Sequence, residues 1–512
     1  MGRTSVGRIC GETGFSSFKF EVTDTSLERM EYVKAWHESD NWILAQVLDI
    51  KKKNPSTKEK KEFDQSKEKV IAKADIIGYR DNRGLLRSPK TPLSPGDEVF
   101  KSDKDLIENT LGIDRGHVFL GKLDGSDLGV KLDANELVQK HCSILARTGS
   151  GKSYTCGVVI EELLEDNVPV VIIDPHGEFH SLKKPNQSKK QKERMDEFGI
   201  KPKGFSSQVN VFSPDPSFGK HLKLDGSNLE AREIMNLLPT SPTNTQQGIL
   251  YQAIKDLKKR EDDYSLKGIL RTVKSSERQA KWNLINQLEL IHDLDIFSDE
   301  PTPIDSLVNE GEASVINLKG VRPEIQELVA ARICSDLFRA RKLENVPPAM
   351  LVVEESHTFA PERGFKKSIS SDIMRTIASE GRKFGLGLTV VSQRPARVDK
   401  NVLSQCNTQV ILKVTNPNDL NAIKKGVEGL NSEMQDEIKS LPTGVALLVS
   451  NDIEKPVFVD VRVRKTSHGG EAVQVINKKQ SSGRKKEAGM SKGKFEGDDE
   501  SSGGMIDKIF GK

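Results

Sequence analysis

The chain has 512 residues, with 78 Lys and Arg against 75 Asp and Glu, an apolar-to-charged balance typical of a globular protein long enough for two or three domains. A net charge of +3 is too small to argue for a polyanionic partner, so any nucleic-acid contact has to come from local basic surface. Five scattered cysteines with no CxxC pair argue against a disulfide framework or a zinc site, MGRTSVGRICGETG has no apolar leader core, and no stretch nears the roughly 18 uninterrupted apolar residues of a membrane span, so a cytoplasmic protein without a membrane segment is expected.

Residues 1–135 are expected to form a small N-terminal β-barrel, on short β-like runs (GRICGE, SFKFEVT, NWILAQVLDI, KVIAKADIIGY, PLSPGDEVF) broken by Gly, Pro and charged stretches. The charged insertion Lys51 to Lys69 is expected to be a solvated hairpin tip or loop. From Leu137 the texture changes to apolar strands followed by helical stretches, the mark of an α/β fold with a mainly parallel sheet. Its strand candidates cover 141–146, 168–173, 208–212, 313–318, 350–353, 388–392, 409–413 and 444–449.

The first of these strands runs into ARTGSGKS, Ala146 to Ser153, and then into the helical YTCGVVIEELLE, where a phosphate-cradling P-loop sits. Residues Thr148, Gly149, Ser150, Gly151, Lys152, Ser153 and Tyr154 are expected around a bound ATP. Lys152 would reach the β and γ oxygens, and Ser153 would supply a hydroxyl to Mg2+. The first position is Ala146 where the pattern has glycine, and the expectation is that a small residue ending a strand leaves the cradle intact. The next strand, VVIIDPHGEF, ends in Asp174; Asp174 and Glu178 are taken to support the site's other side chains or to touch a neighbouring subunit. The basic run Lys183 to Lys203 is a candidate surface, with a plain solvated loop as the alternative because acids are mixed into it.

Residues 136–227 form the first part of this core; 228–296 are helical text without strands, expected as a helical subdomain inserted into the sheet domain; and 297–470 form the second part. Within the second part MLVVEE ends an apolar strand in two acids, the form of a Walker B strand. Glu354 is assigned to the magnesium and Glu355 to polarising the attacking water, the reverse being the alternative. LTVVSQRP ends in Gln393, an amide placed to report on the γ-phosphate, against the alternative of a turn glutamine. SEGRKFGLG offers Arg382 and Lys383, and Arg394 follows the strand; Arg382 is the favoured arginine to stabilise transition-state charge on a neighbouring subunit's γ-phosphate. Residues 471–512 are a polar Gly/Ser/Lys-rich tail expected to be disordered, ending in MIDKIFGK.

The order ARTGSGKS, VVIIDPHGEF, LVVEESHTF, EGRKFGLGLTVVSQRP, LSQCNTQVILKVTNPNDL, LPTGVAL and RVRKTSHGG, spread over about Val6 to Gly470, resembles the HerA-type DNA helicases and translocases of the HerA/FtsK superfamily. The resemblance implies a homo-hexameric ring of RecA-like P-loop ATPase domains on double-stranded DNA, with an N-terminal barrel and a helical insertion, working with a NurA-type nuclease in DNA end resection for double-strand break repair. In a ring of this type Arg363, Phe365, Lys366 and Lys367 of ERGFKK would point into the channel and grip phosphates without reading sequence. Two other readings use the same core: a soluble ATPase of a DNA or protein export or conjugation machine, and a ring in which nucleotide only holds subunits together. The paired Glu354 and Glu355 speak against the second, since a binding-only site has little use for a water-activating acid.

Overall fold

The computed structural model describes residues 5–54, 68–238, 240–260, 264–293, 296–298, 300–365, 368–427, 430 and 432–470. The expected disordered tail 471–512, with MIDKIFGK, and most of the insertion 51–69 lie outside the described residues.

Six strands, Ser5–Ile9, Ser17–Val22, Tyr32–His37, Asn41–Lys53, Lys69–Arg80 and Glu98–Lys101, close into a barrel, because Ser17–Val22 pairs both with Ser5–Ile9 and with Lys69–Arg80. Closure leaves no open edge, and alternate residues such as Val6, Phe18, Phe20, Val33, Ile43 and Ala45 fill the interior. The pairing of Asn41–Lys53 with Lys69–Arg80 extends to Lys53 opposite Lys69, so the insertion departs from a hairpin end. Tyr32–His37 is a strand that the sequence pattern concealed, since Lys34 interrupts its apolar run. The fold buries Lys34, sets its ammonium 4.7 Å from the Trp42 ring centroid and pairs it with Asp103.

The barrel ends earlier than the boundary at 135. Val118–Leu123 and Gly129–Leu132 pair with each other and join the large sheet through Val457–Val461. A short hairpin carries no local mark of the sheet it belongs to; its partner strand lies at the far end of the chain.

The large sheet has twelve strands. In spatial order Lys220–His221, Val209–Ser213, Ala313–Asn317, Val170–Asp174, Ala349–Val353, Leu386–Ser392, Cys142–Leu145 and Thr408–Ile411 run parallel, and Val445–Val449, Val457–Val461, Val118–Leu123 and Gly129–Leu132 continue the sheet antiparallel. Each apolar run named from the sequence is one of these strands. Helices cover both faces of the parallel part, which is why its strands are uninterrupted runs such as VVII and LVV rather than alternating ones. Between the short paired strands Leu224–Asp225 and Phe297–Ser298 stand four helices, Ala231–Leu237, Asn244–Arg260, Leu266–Lys274 and Lys281–His292. Their apolar stripes, including Leu250, Ile269, Leu284 and Leu288, meet in one core with Leu328 and Leu337 of the long helix Pro323–Lys342.

The strand that feeds the P-loop is anchored at its start by His141, which takes a left-handed φ of 58°. Its Nδ1 accepts the Leu388 N–H at 2.9 Å and its Nε2 faces the Ala378 carbonyl at 3.1 Å. This geometry fixes the neutral Nε2–H tautomer, and burial lowers the imidazole to about 4.

Candidate active site

The carboxyl ends of Cys142–Leu145, Leu386–Ser392 and Ala349–Val353 lie side by side, and the P-loop, Gln393 and the paired Glu354 and Glu355 leave from them. The P-loop turn is pinned from both neighbours: the Ala146 N–H donates to the Ser392 carbonyl at 3.2 Å and the Arg147 N–H to the Lys413 carbonyl at 2.8 Å. Ala146 is buried just beyond the strand and is not among the residues with a positive φ. Left-handed backbone is needed only at Gly149 (φ 77°) and Gly151 (φ 98°), so the missing first glycine removes nothing that the turn requires. Gly151 then caps the helix Lys152–Glu165, whose first amides open into the cradle.

Lys152 and the two acids are in direct contact. Its Nζ lies 3.0 Å from Glu354 Oε1 and 2.9 Å from Glu355 Oε1, and the Ser153 hydroxyl donates to Glu354 Oε1 at 2.7 Å. Burial alone would lower the Lys152 ammonium, but the two carboxylates outweigh it and hold it above its ordinary range. Glu355 takes a left-handed φ of 49°, a costly conformation for a glutamate that turns its side chain back over the P-loop. Two histidines flank it, His357 with Nδ1 3.2 Å from Oε2 and His176 with Nε2 3.9 Å from Oε1. His357 Nδ1 is also 3.2 Å from the Ser392 hydroxyl, which accepts the Arg394 N–H at 3.0 Å. Neither histidine was singled out from the sequence, although His357 stands two residues beyond Glu355 and could have been.

The donor set fits a magnesium ion: a hydroxyl, a carboxylate and open phosphate positions suit a hard cation that keeps several waters. Glu354 is fully buried, and its Oε2 has no hydrogen-bond partner among the described residues, an acceptor left over for a cation.

The remaining predicted residues are distributed as follows. Thr148 hydrogen-bonds through its hydroxyl to Gln393 Oε1, so the amide touches the P-loop itself. The Ser150 hydroxyl donates to the Lys413 carbonyl and serves the turn's shape. Tyr154 turns its ring away to the chain's closing segment, where its hydroxyl accepts the Arg464 N–H at 2.8 Å and its ring meets His468 edge-on. Asp174 is buried, and its carboxylate accepts the Gly177 and Phe179 N–H groups at 2.8 and 2.9 Å, fixing the loop that carries His176; burial and the nearby Glu354 raise its carboxyl. Arg382 is exposed at the start of strand Leu386–Ser392, the end opposite to Gln393 and roughly 20 Å from it along the strand, out of reach of its own P-loop. Phe365 is exposed, stacks against Arg397 at 5.7 Å, and with Arg147, Gln393 and Arg394 lines a cavity of about 440 Å³ beside the P-loop turn. Arg363 is exposed on the same loop; Lys366 and Lys367 lie outside the described residues.

The closing RVRKTSHGG is bolted to the P-loop helix. Buried Glu161 accepts from Arg462 Nη1 at 3.0 Å, from the Lys465 and Thr466 N–H groups at 2.9 Å each and from the Thr466 hydroxyl at 2.6 Å, while Glu162 takes Arg462 Nη2 at 2.7 Å. Gly157 leaves room for this strap: a Cβ there would stand 2.5 Å from Arg464 Cζ.

No helix among the described residues is long and apolar enough to cross a membrane. A family model described as the central domain of helicase HerA matches residues 118–337. The chain is 26% identical to the DNA double-strand break repair helicase HerA of Pyrococcus furiosus, over 92% of this chain and 96% of that one. It is 27% identical to the probable DNA double-strand break repair helicase HerA of Methanocaldococcus jannaschii, over 92% of this chain and 98% of the other. Among solved structures it is similar to VirB4 of Thermoanaerobacter pseudethanolicus, with a TM-score of 0.49, 17% identity, and 68% of this chain and 97% of that chain covered. With its P-loop, paired acids and glutamine at neighbouring strand ends of one sheet, the chain is similar to the HerA helicases over most of its length.

Proposed function

We propose that this chain is an ATP-driven DNA translocase or helicase, built as a ring of six copies on double-stranded DNA and working with a NurA-type nuclease in the resection of broken ends. The observation that carries the reading is the contact of Lys152 and Ser153 with Glu354 and Glu355, a site equipped to hydrolyse as well as to bind. It is supported by relatives named as double-strand break repair helicases over nearly the whole chain.

In this reading Lys152 moves from the two carboxylates to the β and γ oxygens when ATP enters, and that frees Glu355 Oε1 to accept a hydrogen bond from the attacking water. Ser153 and Glu354 would hold Mg2+, which would supply positive charge against the charge developing on the phosphates. Gln393, which Thr148 contacts from the P-loop, would report the loss of the γ-phosphate. The chain beyond it passes through the 3-10 turn Pro395–Arg397, where the Arg397 carbonyl accepts the Glu362 N–H at 2.8 Å, and so meets the loop of Arg363 and Phe365 that would face DNA. Arg382 acts only on a neighbouring subunit's site, a role that requires the ring.

The test is ATP turnover with and without linear duplex DNA, for wild type and Glu355→Gln, with size analysis alongside. Duplex-stimulated turnover in a ring is expected, falling by about 10²- to 10⁴-fold in the variant as loss of a general base does. A well-formed ring without DNA stimulation overturns the motor reading, and turnover retained in Glu355→Gln moves the water-activating role to Glu354.

A further inference from the structure

We infer that a second, basic groove at the edge of the parallel sheet, apart from the P-loop, binds the phosphodiester backbone of the nucleic acid on which the ATPase acts; the inference rests on the proposed DNA-directed function. Strands Val170–Asp174, Ala313–Asn317 and Val209–Ser213 are neighbours, and the chain leaving their carboxyl ends lines a groove of about 550 Å³. That end of a parallel sheet is where open α/β folds collect ligands.

The lining segregates charge. Lys183, Lys184, Lys220, Lys319 and His180 face the groove, and no carboxylate lines it, in a chain whose 78 basic and 75 acidic residues are otherwise nearly matched. Lys184, Lys220 and Lys319 are exposed, and none of the four lysines is ion-paired with a described carboxylate. Unpaired ammonium groups gathered around a concavity repel one another, and phosphates relieve that repulsion while releasing condensed counterions.

The groove is also preformed. Lys220 Nζ is held by Asn210 Oδ1 at 2.9 Å, and Asn317 ties two walls together, accepting the Lys319 N–H at 3.1 Å and donating its amide to the Phe218 carbonyl at 3.5 Å. Gly177 and Gly219 leave bare backbone: a Cβ on the first would lie 2.8 Å from Asn317 Oδ1, and one on the second 2.7 Å from the Val211 carbonyl oxygen. Phe218, 39% exposed, adds an aromatic face at the rim of the kind that stacks unpaired bases beside a basic track.

The groove shares a wall with the catalytic acid. Gly177 and His180 belong to the loop that Asp174 clamps, and His176 at its near end reaches to 3.9 Å from Glu355 Oε1. A phosphate chain drawn onto Lys183 and His180 therefore loads the loop that touches the water-activating side chain. Nucleic acid on the groove is expected to raise turnover, and not only to tether the protein.

The experiment uses the full chain and the triple variant Lys183→Ala/Lys184→Ala/Lys319→Ala, three side chains with no described ion pair to lose. Affinity for labelled duplex and single-stranded DNA is measured by fluorescence anisotropy over a potassium chloride series, with DNA-free turnover as the control for folding. The expected result is unchanged DNA-free turnover, affinity lower by roughly 10- to 100-fold, and a slope of log K against log salt shallower by about 0.9 for each duplex phosphate that the groove no longer neutralises. Unchanged affinity and slope for both DNAs overturn the inference. So does loss of binding that inorganic phosphate at equal charge concentration displaces as well as DNA does, which would make the groove a site for free phosphate. The binding slopes are read without reference to stimulation, so a wild type that binds DNA without stimulation sinks the motor reading and leaves the groove to be judged on its own.

Discussion

Replacing Glu161 by Ala tests whether the closing strap holds the P-loop helix in place. Glu161 and Arg462 are both 0% exposed, and the carboxylate accepts from the Arg462 guanidinium, two backbone N–H groups and the Thr466 hydroxyl. Removing it leaves Arg462 with only part of its compensation from Glu162 and strands two amides away from water. Breaking a buried pair by deleting one partner costs about 3–5 kcal/mol. The compact unit Met1–Gly470 has an unfolding entropy of about 1 kcal/mol/K, so the melting temperature should fall by about 3–5 °C. Calorimetry reads this directly, and ATP turnover should be lost over the same lowered range because Lys152 and Ser153 begin the same helix. The double variant Glu161→Met/Arg462→Met removes both charges, and should recover about 1–3 kcal/mol relative to the sum of the single variants. A melting temperature lowered by less than about 2 °C in Glu161→Ala, or additive single effects, would refute the claim that this pair carries the strap.

Gly157→Ala should destabilise by about 1–3 kcal/mol, measured by chemical denaturation, because its Cβ would sit 2.5 Å from Arg464 Cζ and the buried guanidinium has little room to withdraw. His141 gives a pH dependence. Its folded value near 4 lies below the ordinary 6.5, so the stability due to the neutral ring is complete above about 6.5 and is lost as pH falls from there towards 4, to a total of roughly 3 kcal/mol. His141→Asn, which tolerates the left-handed backbone and can still accept the Leu388 N–H, should flatten that part of a melting-temperature profile; an unchanged profile would place the titration elsewhere. His357→Ala should lower kcat by about tenfold with KM for ATP little changed, if the imidazole 3.2 Å from Glu355 Oε2 and from the Ser392 hydroxyl positions that carboxylate, and His357→Asn should restore part of the loss. A rise in KM alone would show that His357 serves binding instead.

The parallel sheet was legible because strands buried on both faces must be unbroken apolar runs, and VVII, LVV and LTVV are such runs. The barrel's hidden strand, with Lys34 at its centre, was not, because a buried lysine reads as a surface residue until its partners Trp42 and Asp103 are known. The hairpin Val118–Leu123 and Gly129–Leu132 went to the wrong neighbour for a similar reason: period-two alternation describes a strand and never its partner.

The site divides along the same line. Lys152, Ser153, Glu354, Glu355 and Gln393 were readable because chemistry in a parallel sheet gathers at carboxyl strand ends, where an apolar run stops at a polar residue; sheet order then brings together ends that lie far apart in sequence. The residues that hold them leave no such trace. His141, Glu161 and Arg462 sit inside elements, each looks locally like an ordinary polar substitution, and each acts on a partner far along the chain. Arg382 shows the limit of reading strand ends: it stands in the turn just before strand Leu386–Ser392, at the amino end, where the geometry within one subunit forbids the contact and only a neighbouring copy could complete it. A position whose partner lies in the same chain is settled by topology, whereas one whose partner lies in the next subunit is settled only by assembly. Arg382→Ala mixed with Glu355→Gln chains is therefore the discriminating measurement. Turnover regained in the mixture above that of either variant alone indicates action across an interface, since an intact Glu355 site then meets an intact Arg382 from its neighbour, and no gain in mixed rings removes Arg382 from that role.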